Sequence, residues 1–255
     1  MDPTEADTWH LVARPPPRNR RRNAQSSRLR ATPPRSPADH AAAITRAAAV
    51  LSQHRVFLEA LMAAVHAAVP RGAVRRIRCL ALGRVSDNPA ARTQTAVLLA
   101  LCVALGVARG EVVCYDPDML PDDLATLGLL DIAAAATADE DTEDYDKHTL
   151  FYMPHAPIVL VERIMARPAA RWVLGNDVLG YADRVLRTPS THTAATGEMV
   201  MNGEYPAVRA AVAECMAADE RTKSGEWRRT RIPDALARDE AWWLGVNDLA
   251  MHWRL

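Results

Sequence analysis

Short apolar runs that alternate with helical segments constrain the fold of this chain more than any other feature of its sequence. Between residues 77 and 177 these runs read IRCLALG, EVVCYDP, TLFYMPH and RWVLGND. Continuous apolar runs are typical of strands that are covered on both faces. Because helical segments separate the runs, the chain must cross over between strands, which favours a mostly parallel sheet. We therefore predict an α/β fold, a Rossmann-like three-layer domain with a mostly parallel central sheet.

The segments between and around these runs are assigned by their periodicity. Residues 38–69 carry apolar side chains at spacings of three and four and form either one helix or two, broken near Ser52–His54. LLDIAAA is a third strand, YPAVRAAVAECMAA fits a strand or a helix, and DERTKSGEWRRTRIPD is predicted as a polar connection. The three tryptophans of the terminal WWLGVNDLAMHWRL are expected in a core. Further helices are predicted at 89–106, 122–128, 158–167 and 178–187.

The first 37 residues differ from the rest in composition. They hold eight arginines against three acids, are rich in proline and serine, and lack an apolar period. Such a segment buries too little surface to offset chain entropy, so we predict a disordered basic N-terminal arm. Its core, RPPPRNRRR, fits an import signal, a non-specific nucleic-acid contact, or a solvated tail without a partner. Residues 38–255 are predicted as one domain: 38–69 are N-terminal helices, 77–187 the core, and 188–255 a C-terminal extension that closes the sheet.

Several protein classes are disfavoured by composition. No run of about 18 apolar residues is present, so we expect no membrane partner. The polar, acidic start MDPTEADTWH predicts no secretory signal. The four cysteines form no CxxC pair and are predicted to be buried, reduced thiols of an intracellular protein. A zinc site needs three or four ligands at short spacing, and none is apparent.

Polar side chains follow the predicted strands and the terminal segment at corresponding points. Ligands of open parallel sheets bind beyond the carboxyl ends of the strands, so we expect these side chains to share one crevice. The candidate ligand-binding residues are Gly83, Ser86, Asp116, His155, Asn176, Asp177, Asn247, Asp248 and His252.

Each of these signals has a structural alternative. The turn at Gly83 lacks a full G-x-G-x-x-G fingerprint. Asp116 occupies the position at which dinucleotide folds place an acid on a ribose hydroxyl, but Asp before proline is also a turn former. Asp248 and His252 share a face in either a strand or a helix and form a candidate acid–base pair. No nucleophile or phosphate loop accompanies them, so we assign no catalytic residue and no metal ligand.

The ordered series LALGRVS, VVCYDP, TLFYMPH, LGND and the terminal ND…H resembles the Sensitivity to Red Light Reduced family, or SRR-like domain. The resemblance covers about residues 50–253, and TLFYMPH and the terminal ND…H are its most specific parts. The chain departs from the family pattern at four positions. These are Ala81 for a glycine, Arg84 and Asp177 for serines, and Val246 for a phenylalanine.

What the resemblance implies is a process more than a mechanism. Family members act in circadian-clock and light-signal regulation and in the regulation of heme biosynthesis, and are expected in cytoplasm and nucleus. No settled catalytic activity belongs to the family. Three functions stay open: a regulatory protein with a ligand- or partner-binding domain, a methyltransferase-like enzyme that uses an adenosyl cofactor, and a heme sensor with His155 or His252 as axial ligand.

Overall fold

The strands and helices of the computed structural model follow one another in an alternating order. The structure describes residues 35–135, 147–180, 205–219, 227–232 and 248–254. The strands are β1 (Arg76–Leu80), β2 (Val112–Tyr115), β3 (Ala133–Ala134), β4 (Thr149–Met153), β5 (Trp172–Asn176), β6 (Trp227–Arg231) and β7 (Leu249–Arg254). The helices are α1 (Pro37–Leu51), α2 (Arg55–Ala68), α3 (Pro89–Leu105), α4 (Pro121–Gly128), α5 (Ile158–Met165) and α6 (Pro206–Asp219).

One sheet contains all the described strands, in the order β3-β2-β1-β4-β5-β7-β6. β1 pairs in parallel with β2 on one side and with β4 on the other, and β4 pairs in parallel with β5. β7 runs antiparallel to both of its neighbours, β5 and β6. The predicted Rossmann-like α/β fold with a mostly parallel sheet is therefore confirmed.

Helices cover both faces of this sheet, and each face has its own apolar core. Ile77 and Leu150 belong to the core that includes residues of α1, α2 and α3. Phe151 and Val173 belong to the second core, which includes residues of α5 and α6. Consecutive residues of a strand point to opposite faces, so a continuous apolar run supplies both cores. All four cysteines are free and buried, as the sequence predicted.

The helix ends follow from local sequence. Ser36 caps α1 by accepting a hydrogen bond from the backbone N–H of Asp39. Asn88 caps α3 in the same manner, and Gly106, in the left-handed conformation, ends it. The N-terminal stretch is two helices, α1 and α2, bent by 90° at the break. Among the described helices, no single one is long and apolar enough to cross a membrane; α1 and α2 pass that criterion only as a bent pair.

The C-terminal part differs from the sequence-based expectations. The predicted polar connection contains a strand, β6, and that prediction was wrong. β6 pairs with β7 at the end of the sheet, and only Trp227 of its five residues is buried, so it needs no apolar run. The ambiguous segment before it is the helix α6, and the terminal segment is the strand β7.

Other expectations fall on residues outside the described ranges. They concern the basic arm, the acid-rich run before Lys147, most of the helix predicted at 178–187, and Trp242 and Trp243. Trp253 is half-buried against the first core.

β4 and β5 approach each other closely at Gly175, and a substitution at this position tests that approach. A Cβ at this position would lie 2.9 Å from the backbone oxygen of Met153. We expect Gly175→Ala to lower the free energy of unfolding by about 1–3 kcal/mol, because backbone must move to accept the methyl group. Gly128→Ala, whose Cβ would meet nothing within 4 Å, is the control and should be neutral or stabilising. Urea denaturation of both variants measures the difference, and equal effects would contradict the close approach.

Candidate functional site

The turn after β1 and the end of β2 meet at the carboxyl edge of the sheet. The backbone N–H of Gly83 donates to Oδ2 of Asp116 at 2.8 Å. Oδ1 of the same carboxylate accepts from the backbone N–H of Asp118 at 2.9 Å. Asp116 is half-buried, and Gly83 has a φ of +77°, which favours glycine. Each carboxylate oxygen has a further lone pair with which to accept a ligand hydroxyl.

A buried carboxylate that the sequence analysis did not single out holds the rest of this turn. Asp123, fully buried at the start of α4, accepts from the backbone N–H of Ser86 at 2.7 Å and of Leu120 at 2.8 Å. The Nε atom of Arg84 lies 3.9 Å from the same carboxylate. The sequence feature that could have identified Asp123 is an acid in the first turn of a helix that begins with proline, PDDL. The Ser86 backbone is thus fixed by Asp123.

His155 and Asn176 meet at the ends of the next two strands. The backbone N–H of His155 donates to Oδ1 of Asn176 at 2.5 Å, and the amide Nδ2 lies 3.4 Å from the ring Nδ1. His155 is exposed and has a φ of +57°. The prolines on either side explain the turn: Pro154 follows the last residue of β4, and Pro157 is the N-cap of α5.

Asp177 and Asp248 are joined through the backbone. The N–H of Asp177 donates to the carbonyl oxygen of Asp248 at 2.7 Å. The two side chains have different environments. The Asp177 carboxylate is buried and accepts from Nε and an Nη atom of Arg229, both at 2.7 Å. The Asp248 carboxylate is exposed and lies 3.4 Å from the guanidinium of Arg231.

His252 belongs to β7, which pairs with β5 on one side and β6 on the other. Its side chain is buried, and Nε2 accepts from the backbone N–H of Val178 at 3.3 Å. Burial lowers the pKa of this imidazole to about 4, and the positive charge of Arg229 acts in the same direction, whereas the charge of Asp177 opposes it. The carboxylate that acts on His252 is thus Asp177. The expected pairing with Asp248 is not formed, because Asp248 precedes β7 and contacts Arg231.

Three residues at this edge have left-handed backbone conformations that glycine would adopt more readily. They are Ala81 (φ 58°), His155 (φ 57°) and Asp248 (φ 57°). They follow β1, follow β4 and precede β7, respectively. Such conformations in residues other than glycine cost free energy and concentrate at functional sites. The family pattern has glycine where this chain has Ala81.

Most of the candidate residues therefore lie at one edge, but they have different environments. Five of them lie at the edge where the parallel strands end, either at the end of a strand or directly before or after one: Gly83, Asp116, His155, Asn176 and Asp248. Ser86 lies further along the first turn. Asp177 directs its carboxylate to Arg229, and His252 is buried within the sheet. Asn247 lies outside the described residues.

The cofactors considered from sequence fit these residues unequally. An adenosyl group fits the Gly83–Asp116 turn, which offers a hydroxyl acceptor beside a backbone without a Cβ. His252 does not fit an axial heme ligand, since Nε2 already accepts a hydrogen bond inside the sheet. Of the two histidines considered, His155 is the exposed one. Within the described ranges, no three His, Cys, Asp or Glu side chains converge in a way that would hold a metal ion.

The fold is a Rossmann-like α/β domain in which the parallel strands end at one edge of the sheet. The model of the SRR1 domain matches residues 51–253, so the chain belongs to the SRR1 domain family. A solved structure titled "Structure of the plantazolicin methyltransferase BpumL in complex with SAH" is similar over 79% of this chain and 82% of that one. The identity is 12% and the TM-score 0.35, which is too low to carry a functional argument. No curated protein sequence gives a significant match.

The buried Asp177–Arg229 ion pair should contribute more to stability than the exposed Asp248–Arg231 ion pair, whose arginine is also on β6. Arg229→Ala leaves a carboxylate that is 8% exposed without its guanidinium, and we expect a loss of about 3 kcal/mol. Arg231→Ala removes a contact between groups that are 49% and 55% exposed and should cost less than about 1 kcal/mol. Chemical denaturation measures both. Similar costs would show that the Asp177 pair is no stronger than a surface contact.

The buried His252 should make stability fall with acidity. Its pKa is lowered in the fold from 6.5 to about 4, so between these values the unfolded chain binds a proton that the folded chain does not. The stability that depends on a neutral His252 is fully present above about pH 6.5. It is lost as the pH falls to 4, and the free energy of unfolding decreases by about 3 kcal/mol in total. His252→Gln retains an acceptor for Val178 and does not titrate. Its stability should fall less than that of the natural chain over this range, and parallel curves would contradict the prediction.

Proposed function

We propose that this chain is a regulatory protein whose SRR1 domain binds a nucleoside-containing ligand, an adenosyl compound in the first instance, at the carboxyl edge of its sheet. The observation that carries this proposal is the contact of Gly83 with Asp116. Dinucleotide-binding folds bind a ribose hydroxyl with an acid at the corresponding position, and Asp116 is a half-buried carboxylate there, next to the glycine of the first turn.

The topology supports the same location. After β1 the chain adds β2 and β3 on one side and then crosses to β4 on the other. The loops that follow β1 and β4 therefore leave in opposite directions, and in open α/β sheets the crevice between such loops is where ligands bind. Gly83 follows β1 and His155 follows β4. Both therefore lie beside the proposed ligand site, and Asp116 follows β2, one strand away from β1.

Family membership supports a more specific proposal about the process. We infer that the protein acts in circadian-clock and light-signal regulation and in the regulation of heme biosynthesis, as SRR-like proteins do. The arginine-rich segment before residue 38 supports exchange between cytoplasm and nucleus through the import machinery. Ligand binding at the crevice would then alter how the domain engages its regulatory partners.

A second candidate function is transfer of a methyl group from an adenosyl cofactor. The position of Asp116 after β2 is compatible with it, since a ribose hydroxyl of the cofactor could bind there. A shared fold does not establish a shared reaction. The two candidates differ in one observable: only the enzyme releases S-adenosylhomocysteine in proportion to a methylated product.

Ligand binding to the full chain tests the proposal. We expect S-adenosylmethionine or S-adenosylhomocysteine to raise the melting temperature, because a ligand at 100 times its Kd stabilises by about 2.7 kcal/mol. Asp116→Asn keeps one acceptor oxygen but loses the charge, and should weaken binding roughly 10- to 100-fold. Isothermal titration gives the affinities. Asp118→Asn, the exposed acid two residues on, is the matched control and should leave binding unchanged.

The alternatives have distinct outcomes in the same experiment. No stabilisation by any adenosyl compound or dinucleotide would refute the proposed site. Stabilisation by haemin alone, abolished in His155→Ala, would favour the heme-sensor function. Equal weakening by Asp116→Asn and Asp118→Asn would show that binding depends on general charge and not on the Gly83–Asp116 contact.

A further inference from the structure

We propose that the amino edge of the sheet is a docking surface for the phosphate backbone of a nucleic-acid strand. The amino edge is the edge at which the parallel strands β1, β2, β4 and β5 begin, opposite the proposed ligand site. The inference goes beyond the proposed function and does not rest on it, because it concerns the other end of the strands. Four exposed arginines carry it: Arg71, Arg75, Arg109 and Arg171.

The four arginines form a row because they precede neighbouring strands. Arg109 begins the short turn before β2, and Arg171 directly precedes β5. Arg71 and Arg75 lie in the loop between α2 and β1. The strands follow one another in the order β2-β1-β4-β5, so the two outer ones are roughly 14 Å apart. About four stacked nucleotides of one strand span the same length.

Backbone hydrogen bonds between the loops fix this edge. The N–H of Arg75 donates to the carbonyl oxygen of His148, which precedes β4, at 2.9 Å. The N–H of Arg254, at the end of β7, donates to the carbonyl oxygen of Arg171 at 2.9 Å. These contacts use main-chain atoms only. They hold the backbone of both arginines in place without engaging their guanidinium groups.

The side chains of the four arginines are available to a partner. All four residues are exposed, and within the described ranges none of their guanidinium groups has a hydrogen-bond or ion-pair partner. The described acids at this edge are Glu111, which lies 4.0 Å from Arg76, and Asp131, which precedes β3. Positive charges therefore outnumber negative ones along the row, and an anionic polymer placed there is attracted.

The surroundings of the row favour a nucleic acid over a protein partner. Gly72, Ala108 and Gly110, which adjoin the arginines, are small and exposed. In the described loops that precede these four strands, no large apolar side chain is exposed. A protein partner is usually bound around a buried apolar centre, whereas binding to a phosphate backbone depends mainly on charge. The expected binding is therefore independent of base sequence.

The opposite edge of the sheet has the opposite charge beside β2. Asp118 and Asp122 are exposed there, and Asp116 is half-buried. An anionic strand is repelled by these carboxylates and attracted by the arginines at the other end, so the charge distribution directs it to the amino edge. The nucleic-acid surface and the proposed ligand site are thus separate and can be tested separately.

Binding of labelled oligouridine to the full chain tests this inference, with fluorescence anisotropy as the measurement. We expect binding at low salt that weakens as salt rises, with about −0.7 in the slope of log K against log[salt] for each phosphate contact. In the double variant Arg75→Gln/Arg171→Gln, two contacts are lost. The slope should become less steep by about 1.4, and the affinity at about 0.1 M salt should fall roughly 10- to 30-fold.

Arg46→Gln/Arg55→Gln is the matched control, since it changes the net charge equally. Arg46 is exposed on α1, and Arg55 is exposed at the start of α2. The other end of α2 lies at the amino edge, where the carbonyl oxygen of Ala68 accepts from the indole N–H of Trp172. Arg55 is therefore about 20 Å from that edge. The control should retain the natural affinity and slope.

Both double variants keep the basic first 34 residues and the acid-rich run before Lys147, so the contributions of these segments cancel in the comparison. Both should also keep the natural melting temperature, because the substituted side chains have no partner to lose. A lower melting temperature for Arg75→Gln/Arg171→Gln alone would assign these arginines a structural role and overturn the proposal.

Three further results would overturn it. They are no binding of oligouridine at low salt, equal losses in the two double variants, and equally tight binding of polyglutamate with the same losses. The last result would assign the edge to an acidic protein partner. S-adenosylmethionine binding should be the same in Arg75→Gln/Arg171→Gln and in the natural chain, so a failure of this inference and a failure of the proposed function are separate outcomes.

Discussion

The pairing of β1 with β2 on one side and with β4 on the other determines where every candidate residue lies. Parallel strands finish at the same edge, so the turns that follow them are brought together although 72 positions of sequence separate Gly83 from His155. After β3 the chain crosses to the other side of β1, and the ligand site that we propose lies at this change of direction.

Polar residues at this edge divide into two groups with different physical roles. Asp123 and Asp177 are buried, and each uses its carboxylate to bind groups of the protein itself. They hold the turns after β1 and β5 in place, since a buried carboxylate is stable only when its oxygens are paired. Asp116, which is half-buried, and His155, which is exposed, are residues at the same edge that lie at or beside the ligand site that we propose.

Much of the secondary structure was predictable, because apolar period and turn residues are local properties. Pro89, Gly106 and the two prolines around His155 mark ends that the structure confirms within a few residues. β6 was missed because edge strands do not need an apolar run. α6 and β7 stayed ambiguous, since short apolar stretches fit either period, and the partner that decides between them is distant in sequence.

The sequence by itself determined that the chain forms a mostly parallel α/β sheet, which family it belongs to, and which polar residues follow the strands. Only the tertiary structure decided which of those residues face outward. Asp177 and Asp116 both follow strands. The Asp177 carboxylate is bound by Arg229 of β6 and is buried, whereas Asp116 is half-buried. His252 is separated from solvent by the sheet around β7. The reason is physical: strand order and side-chain partners depend on contacts between distant segments, and a local pattern carries no information about them.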